Sequence, residues 1–346
     1  MPTQEKRIIY IDASSLVDSQ CLLRFYRTVV EGWRSPKTDI SMFYGTCFHK
    51  CAEEFQKFKL QFDREEAEMR AIHSAQKHWR AGIDNCVYGK TNSWMTLDHL
   101  TSLLVRYLEH EVKDNAPVLV EECWENHTEG VDCPVCHGHG KGPVVELKFA
   151  EPIYEDEDYI FILSGTIDKL VTVGSQQFYC IGDYKTTSSY NVEDYFAPYS
   201  LSLQLRVYRL AIHLLGKRYP GSIFEDIDRA GCGMFIDGVF LNKEVDKVSF
   251  QRSKILQVDQ SDLYSVNNLI IRKCEDLILV MQESSMSCTP MIKDGILTGA
   301  CKGNYGKLCK YFGACNTPDD ISAQMVLEQH FQRKEYNPLK FGEVVE

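Results

Sequence analysis

Apolar side chains recur at helical spacing through the first third of the chain, where a segment that Ser15 would cap runs through Cys21, Phe25, Val29 and Trp33 as one helix. A second helix is predicted over 43–62, and Asp63 opens a strongly charged third. Leu97, Leu100, Leu104, Tyr107 and Leu108 line a fourth at 3.6-residue spacing. After Pro117 the pattern shortens to runs rich in β-branched and aromatic residues at 118–124, 144–149, 159–163 and 177–185, which predict strands. An amphipathic helix over 198–215 then puts Leu201, Leu205, Tyr208, Ile212 and Leu215 on one side. Strands return over 233–240 and 247–250, and a further helix carries Leu263, Val266, Ile270 and Leu277 over 259–281. This order predicts a mixed α/β (α+β) fold with helical additions at both ends. It divides the chain into a helical region (1–116), a sheet-bearing core with a Cys/His-rich insert at 123–142 (117–250), and a helix with a cysteine-rich tail (251–346).

No run approaches 18 consecutive apolar residues, so no membrane span is expected. The apolar patch at 8–11 is cut by Asp12 and is too short for a secretory leader, so the expected location is a cytosol. The chain carries 38 Lys and Arg against 49 Asp and Glu, a net charge of −11. That balance counts against a passive polyanion binder, which presents a basic footprint. It leaves room for an enzyme that holds divalent cations on carboxylates and meets nucleic acid in a local groove. Fourteen cysteines in such a chain point to metal before disulfides.

The sharpest chemistry lies between Ser164 and Tyr208. Ser164-Gly-Thr-Ile-Asp168 is read as the end of one strand, and Asp183-Tyr184-Lys185 lies on the next. Strand residues two apart share a face, so Asp183 and Lys185 project together while Tyr184 points the other way. Pairing of the two strands as a hairpin would bring Asp168 towards Asp183. Two unpartnered carboxylates repel, and a hard divalent cation such as Mg²⁺ or Mn²⁺ removes that cost. Lys185 beside it could orient a water and stabilise charge on a phosphoryl group. Gln204 and Tyr208, four apart on the following helix, share a face, and His49 offers an imidazole from the helix at 43–62.

Taken in order, Gly45/His49, Gly165-Thr-Ile-Asp168, Asp183-Tyr-Lys185 and Gln204-Leu-Arg-Val-Tyr208 resemble the motifs of PD-(D/E)XK phosphodiesterases of the RecB-like nuclease branch. The chain is most similar to CRISPR-associated and phage-encoded exonucleases that carry an iron–sulfur cluster. Its opening, Ala13-Ser-Ser-Leu-Val-Asp-Ser-Gln-Cys21-Leu-Leu-Arg-Phe-Tyr26, also resembles that branch, although Leu22 stands where proline is usual. The resemblance covers roughly residues 13–315. It implies a restriction-endonuclease-like core in which His49, Asp168, Asp183 and the backbone carbonyl of Tyr184 ligate the metal. Lys185 would activate water, while Gln204 and Tyr208 would position Lys185 or the DNA strand. It further implies a DNA exonuclease acting on single strands or ends in replication, recombination, repair or CRISPR-type prespacer processing. The setting would be a bacterial, archaeal or phage-infected cytosol. It admits a homo-oligomer and replication or recombination partner proteins.

Cys301, Cys309 and Cys315 could belong to a [4Fe–4S] cluster or a zinc site, which spacing alone does not separate. The resemblance favours the cluster, with Cys21 as fourth ligand and Cys288 as an alternative to Cys301. A second group, Cys123-x-x-x-His127 and Cys133-Pro-Val-Cys136 followed by His137 and His139, is read as a small structural Zn²⁺ site. Its rival is a Gly/His loop with no metal, and which side chain would complete a tetrahedron stays open. Arg206, Arg209, Lys217, Arg218, Lys302, Lys307 and Lys310 are candidate phosphate contacts, and Tyr305, Tyr311 and Phe312 candidate stacking residues. The competing function class is a metal-stabilised DNA-binding or adaptor protein on a nuclease fold without turnover. A redox or regulatory protein using the cysteines directly leaves the Asp/Lys/Gln/Tyr series unexplained.

Overall fold

The computed structural model of the chain describes residues 6–111, 116–122, 141–175, 177–286, 295–302 and 308–340. Strand β1 (Arg7–Ile11) leads into helices α1 (Ala13–Asp18) and α2 (Leu22–Val29). The single helix expected through Cys21 and Trp33 is therefore two. Asp12, not Ser15, caps α1: its carboxylate accepts the Ser15 N–H and the Ser15 hydroxyl accepts the Asp12 N–H, a reciprocal capping box. Cys21 is extended (φ −130°, ψ 110°) and restarts the chain ahead of α2, and Trp33 falls in a two-residue ladder opposite Arg333. Helices α3 (Ile40–Phe58), α4 (Arg64–Gly82) and α5 (Leu97–Glu111) follow, the first two capped by Asp39 and Asp63.

Next come strands β2 (Val145–Glu155), β3 (Tyr159–Val173) and β4 (Phe178–Thr187), then α6 (Val192–Phe196) and a 3-10 turn at Ala197–Leu201. Helix α7 (Leu203–Arg218) starts later than the predicted 198, because the Ser202 hydroxyl accepts the Leu205 N–H and Pro198 sits in the 3-10 turn. Strand β3 does not end at Asp168. It continues through the buried pair Leu170 and Val171, which carry the ladder on to β4. The remaining elements are α8 (Ile223–Ala230), β5 (Gly233–Phe240), β6 (Ser249–Arg252), α9 (Gln260–Met286), α10 (Gly295–Thr298), α11 (Phe312–Cys315) and α12 (Asp320–His330).

These form a mixed α/β fold with a central seven-stranded mixed sheet flanked by helices, in the order β1-β3-β4-β5-β6 with β2 added on β3 and Leu256–Gln257 on β5. The chain falls into two compact units. The first comprises Met1–Pro36, Phe149–Gly165 and Gln260–Phe341. In it β1 runs parallel to the start of β3, with Ile11 opposite Leu163, and Trp33, Tyr311, Ala314 and Leu327 form a small core. The second comprises Lys37–Lys148, Thr166–Asp259 and Gly342–Glu346. Here the latter half of β3 is antiparallel to β4, and β4 is parallel to β5 with Lys185 opposite Gly238. Its large core joins Tyr44, Phe48, Leu100, Leu103 and Leu104 of the helices to Tyr184 and Val239 of the strands. Each fully buried leucine there contributes about 2 kcal/mol. Cys47, Cys51, Cys180, Cys232 and Cys274 are buried as small core residues, while Cys86 is half-buried at the margin. No helix among the described residues is long and apolar enough to cross a membrane.

Candidate active site and metal centre

The register that sets Lys169 opposite Gly182 brings Asp168 alongside the Asp183–Lys185 stretch of β4. The Tyr184 N–H donates to Asp168 Oδ2 at 2.6 Å, which ties the first carboxylate to the backbone between Asp183 and Lys185. Lys185 Nζ lies 2.7 Å from Asp183 Oδ2. From α7, Gln204 Nε2 donates to Asp183 Oδ1 at 3.3 Å and to the Tyr208 hydroxyl at 2.6 Å, so the four-residue helical spacing holds one amide against strand and helix. Helix α3 rests on β4 at Gly45, where a Cβ would meet Thr186 Oγ1 at 3.0 Å. One turn on, His49 Nδ1 lies 3.5 Å from Asp168 Oδ2 and 3.7 Å from Glu146 Oε1. The ligand atoms of His49, Glu146 and Asp168 lie within 4.8 Å of one another.

Glu146 escapes the sequence reading. It sits near the start of β2 with φ +47°, a left-handed conformation that a non-glycine residue adopts at a cost and that is enriched at functional sites. The one available signal was a lone acid in the apolar run at 144–149.

The charges are unbalanced in a way that fits a cation. Asp183 is fully buried. Burial, with Asp168 adding to it, pushes its carboxyl up to about 6 against the pull of Lys185. Among the described residues its buried Oδ2 makes no aligned hydrogen bond, and the Lys185 ammonium stands 2.7 Å from it. Burial also raises Asp168, but the His49 imidazole, Lys185 and the Tyr184 N–H outweigh it and hold the carboxyl below its usual range. Burial disfavours the charged imidazole, yet Asp168 and Glu146 hold His49 well above its ordinary value. The His49 imidazole converges with the Glu146 and Asp168 carboxylates, and with Asp183 on the adjacent strand they make a hard donor set suited to Mg²⁺ or Mn²⁺.

Behind this face the alternation of the strands builds a second network. Lys169 is 1% exposed, with Nζ 2.8 Å from the Tyr184 hydroxyl and 2.8 Å from Asp237 Oδ2. Arg252 clamps the same carboxylate through Nε at 2.7 Å and Nη2 at 2.8 Å. The Tyr184 hydroxyl also shares a hydrogen bond of 2.8 Å with Tyr107, which donates to Glu111.

The four cysteines lie in the first unit. A Cβ at Gly295 would stand 2.9 Å from Cys21 Sγ and 3.3 Å from Cys301 Sγ. The Cys309 N–H donates to the Cys301 carbonyl at 2.9 Å, and Cys315 packs against the small cluster that contains Cys21 and, like Cys309, against the one formed by Trp33, Tyr311, Ala314 and Leu327. Arg27 Nη1 donates to Cys315 Sγ at 3.1 Å. Among the described residues no three of these sulfurs come within 4.8 Å of one another.

Two expected DNA contacts take other places. Arg209 is 2% exposed and paired with Asp228 at 2.7 Å, because its position on α7 faces α8. Tyr311 is 1% exposed and donates to the Trp33 carbonyl, so its ring is closed to a base. Cys123, His127, Cys133, Cys136, His137, His139, Cys288, Tyr305 and Lys307 lie outside the described residues.

No curated protein matches the chain. The family profile described as the PD-(D/E)XK nuclease superfamily matches residues 19–315, a stretch that spans His49, Asp168, Asp183, Lys185, Gln204 and Tyr208. With that match over most of its length, on a mixed sheet whose adjacent strands carry Asp168 and Asp183-Tyr-Lys185, the chain belongs to the PD-(D/E)XK nuclease superfamily.

Proposed function

We propose that the chain is a divalent-metal-dependent DNA exonuclease of the RecB-like branch, acting on single strands or DNA ends. The pathway would be replication, recombination, repair or CRISPR-type prespacer processing. The observation that carries this reading is the convergence of His49, Glu146 and Asp168, with ligand atoms within 4.8 Å, beside Asp183 and Lys185. His49, Asp168, Asp183 and the Tyr184 carbonyl would hold Mg²⁺ or Mn²⁺, with Glu146 as a further carboxylate. Bound there, the ion supplies Lewis-acid polarisation of the scissile phosphoryl group. The Lys185 ammonium aligns the attacking water and stabilises the charge gathering on the phosphoryl oxygens. Gln204, anchored on Tyr208, fixes the Asp183 rotamer through Oδ1 and leaves Oδ2 for the site.

Wild type and Lys185→Ala are compared on end-labelled single-stranded and duplex DNA with Mn²⁺. Turnover in the variant is expected to fall about a hundred- to a thousandfold with DNA binding retained. Equal degradation by both would remove Lys185 from the chemistry. Binding without cleavage by the wild type would point to an adaptor on a nuclease fold.

Cys21, Cys301, Cys309 and Cys315 are assigned to a structural [4Fe–4S] cluster. Protein purified without oxygen should be brown and hold about four iron atoms per chain, in keeping with four thiolate ligands. Cys309→Ser should bleach it and lower the melting temperature. A colourless, zinc-loaded preparation would overturn the assignment.

A further inference from the structure

The linker that joins the strand of Lys185 to the helix of Gln204 carries apolar surface that the chemistry above leaves unused. Tyr190 is 91% exposed and Leu201 81%, the two highest values among the large apolar side chains of the described residues. Tyr190 stands just before α6, and Leu201 is the last residue of the 3-10 turn. Between them Tyr195 and Phe196 both pack edge-on against Phe240, with ring centroids 5.3 and 5.7 Å away, and Tyr195 tilts against Tyr199 at 5.5 Å.

The linker is held at both ends. Asn191 caps α6 by accepting the N–H groups of Glu193 and Asp194, and Arg206 Nη1 donates to the carbonyls of Ser200 and Ser202. Its seat beside the reacting groups depends on a glycine. Gly238 lies opposite Lys185 in the β4–β5 register, and a Cβ there would meet the Phe196 ring at 2.9 Å and the Phe240 ring at 2.8 Å. The missing side chain lets the aromatic segment settle over the strand next to Lys185.

We propose that this linker is a base-stacking subsite: Tyr190 and Leu201 receive unpaired bases of a single-stranded DNA end whose phosphodiester lies at Lys185, with Tyr195, Phe196 and Tyr199 as rigid backing. The inference rests on the nuclease reading above. Three features select the occupant. The exposed Tyr190 ring, five residues after Lys185, offers a π-face and Leu201 an apolar one, which a single-stranded base can cover and a paired base, already stacked, cannot. The linker's own charged side chains are the carboxylates Glu193 and Asp194, so it repels a phosphate backbone and must hold its ligand by stacking. The backing rings are pinned before the ligand arrives, which limits the ordering cost of binding.

The test measures binding apart from hydrolysis, in full-length protein carrying the inactivating Lys185→Ala change. The probe is a single-stranded oligonucleotide with a terminal 2-aminopurine, alongside a version with an abasic terminus. The subsite should quench the fluorophore, and the abasic terminus should weaken binding roughly tenfold. Adding Tyr190→Ala with Leu201→Ala should weaken binding of the intact oligonucleotide by a similar factor, abolish the quench and make the abasic change neutral. Tyr190→Trp should restore both affinity and quench. Undiminished binding in the double variant, or an abasic penalty that persists there, overturns the subsite. Absence of cleavage by the wild type would instead overturn the nuclease reading while leaving this binding result standing.

Discussion

Asp183→Asn is expected to lose DNA hydrolysis by on the order of ten-thousandfold, because the proposed metal ligand and the anchor of Lys185 go together. The metal-free variant should nevertheless be at least as stable as wild type at neutral pH. Burial, reinforced by Asp168, pushes the Asp183 carboxyl from 3.8 up to about 6, with Lys185 only partly opposing. The folded protein therefore holds that proton more tightly than the unfolded chain does. Without metal, stability should fall as pH rises from about 4 to about 6 and level off above, a loss on the order of 2–3 kcal/mol. Asp168 acts with the opposite sign, since its carboxyl is held below 3.8, and its contribution is lost only in stronger acid. Asparagine removes the buried negative charge and the slope with it, while Lys185 keeps the attraction of Asp168. The gain in melting temperature from Mn²⁺, which wild type should show, should shrink or vanish in the variant. Urea titrations at pH 4.5, 6.0 and 7.5, in chelator and in Mn²⁺, read all of this. A variant less stable than wild type at pH 7.5 without metal, with an unchanged response to Mn²⁺, would contradict it.

Much of the arrangement was legible because it follows from two periodicities. Alternation along β4 put Asp183 and Lys185 on one face and Tyr184 on the other, and the four-residue step from Gln204 to Tyr208 put both on one side of α7. The mixed α/β class came from the order of such segments. Glu146 was not legible, because its approach to His49 depends on a left-handed φ of +47° that no alternation rule contains. The break at Cys21 was missed for a related reason. Helical spacing continues past it, while a capping box between Asp12 and Ser15 and an extended Cys21 decide where the helices begin. Arg209 and Tyr311 show the limit of composition. A basic or aromatic residue near a motif looks like a DNA contact until Asp228 or the Trp33 carbonyl is found against it. The aromatic linker was hidden because 198–201 read as the start of α7, which made Leu201 one of its apolar residues rather than an exposed one.

Lys169→Met should destabilise the protein by about 3 kcal/mol and also slow the folded fraction. The side chain of Lys169 crosses Gly182, where a Cβ would lie 2.8 Å from Lys169 Cε and 2.9 Å from the Phe235 ring, to reach Tyr184 and Asp237. Burial alone would drive its ammonium to give up the proton, but Tyr184 and Asp237 hold it charged, and Asp237 is held ionised by Lys169 and Arg252. Methionine keeps most of the volume and removes the charge. Among the described residues it leaves Asp237 with Arg252 and the Tyr184 hydroxyl with Tyr107. Removing one partner of a buried pair is costly because the other stays desolvated, so Lys169→Met with Asp237→Asn should lose less than the two single changes added together. The effect on turnover follows from adjacency in the chain. Lys169 is the residue after Asp168, and Tyr184 supplies the N–H that fixes Asp168 at 2.6 Å. Loosening the rear of the two strands therefore loosens the carboxylate in front. Urea unfolding of the two single variants and the double gives the coupling energy, and Mn²⁺ affinity of the folded variants reads the front face. Strictly additive losses with unaltered Mn²⁺ affinity would show that the two faces of these strands are independent.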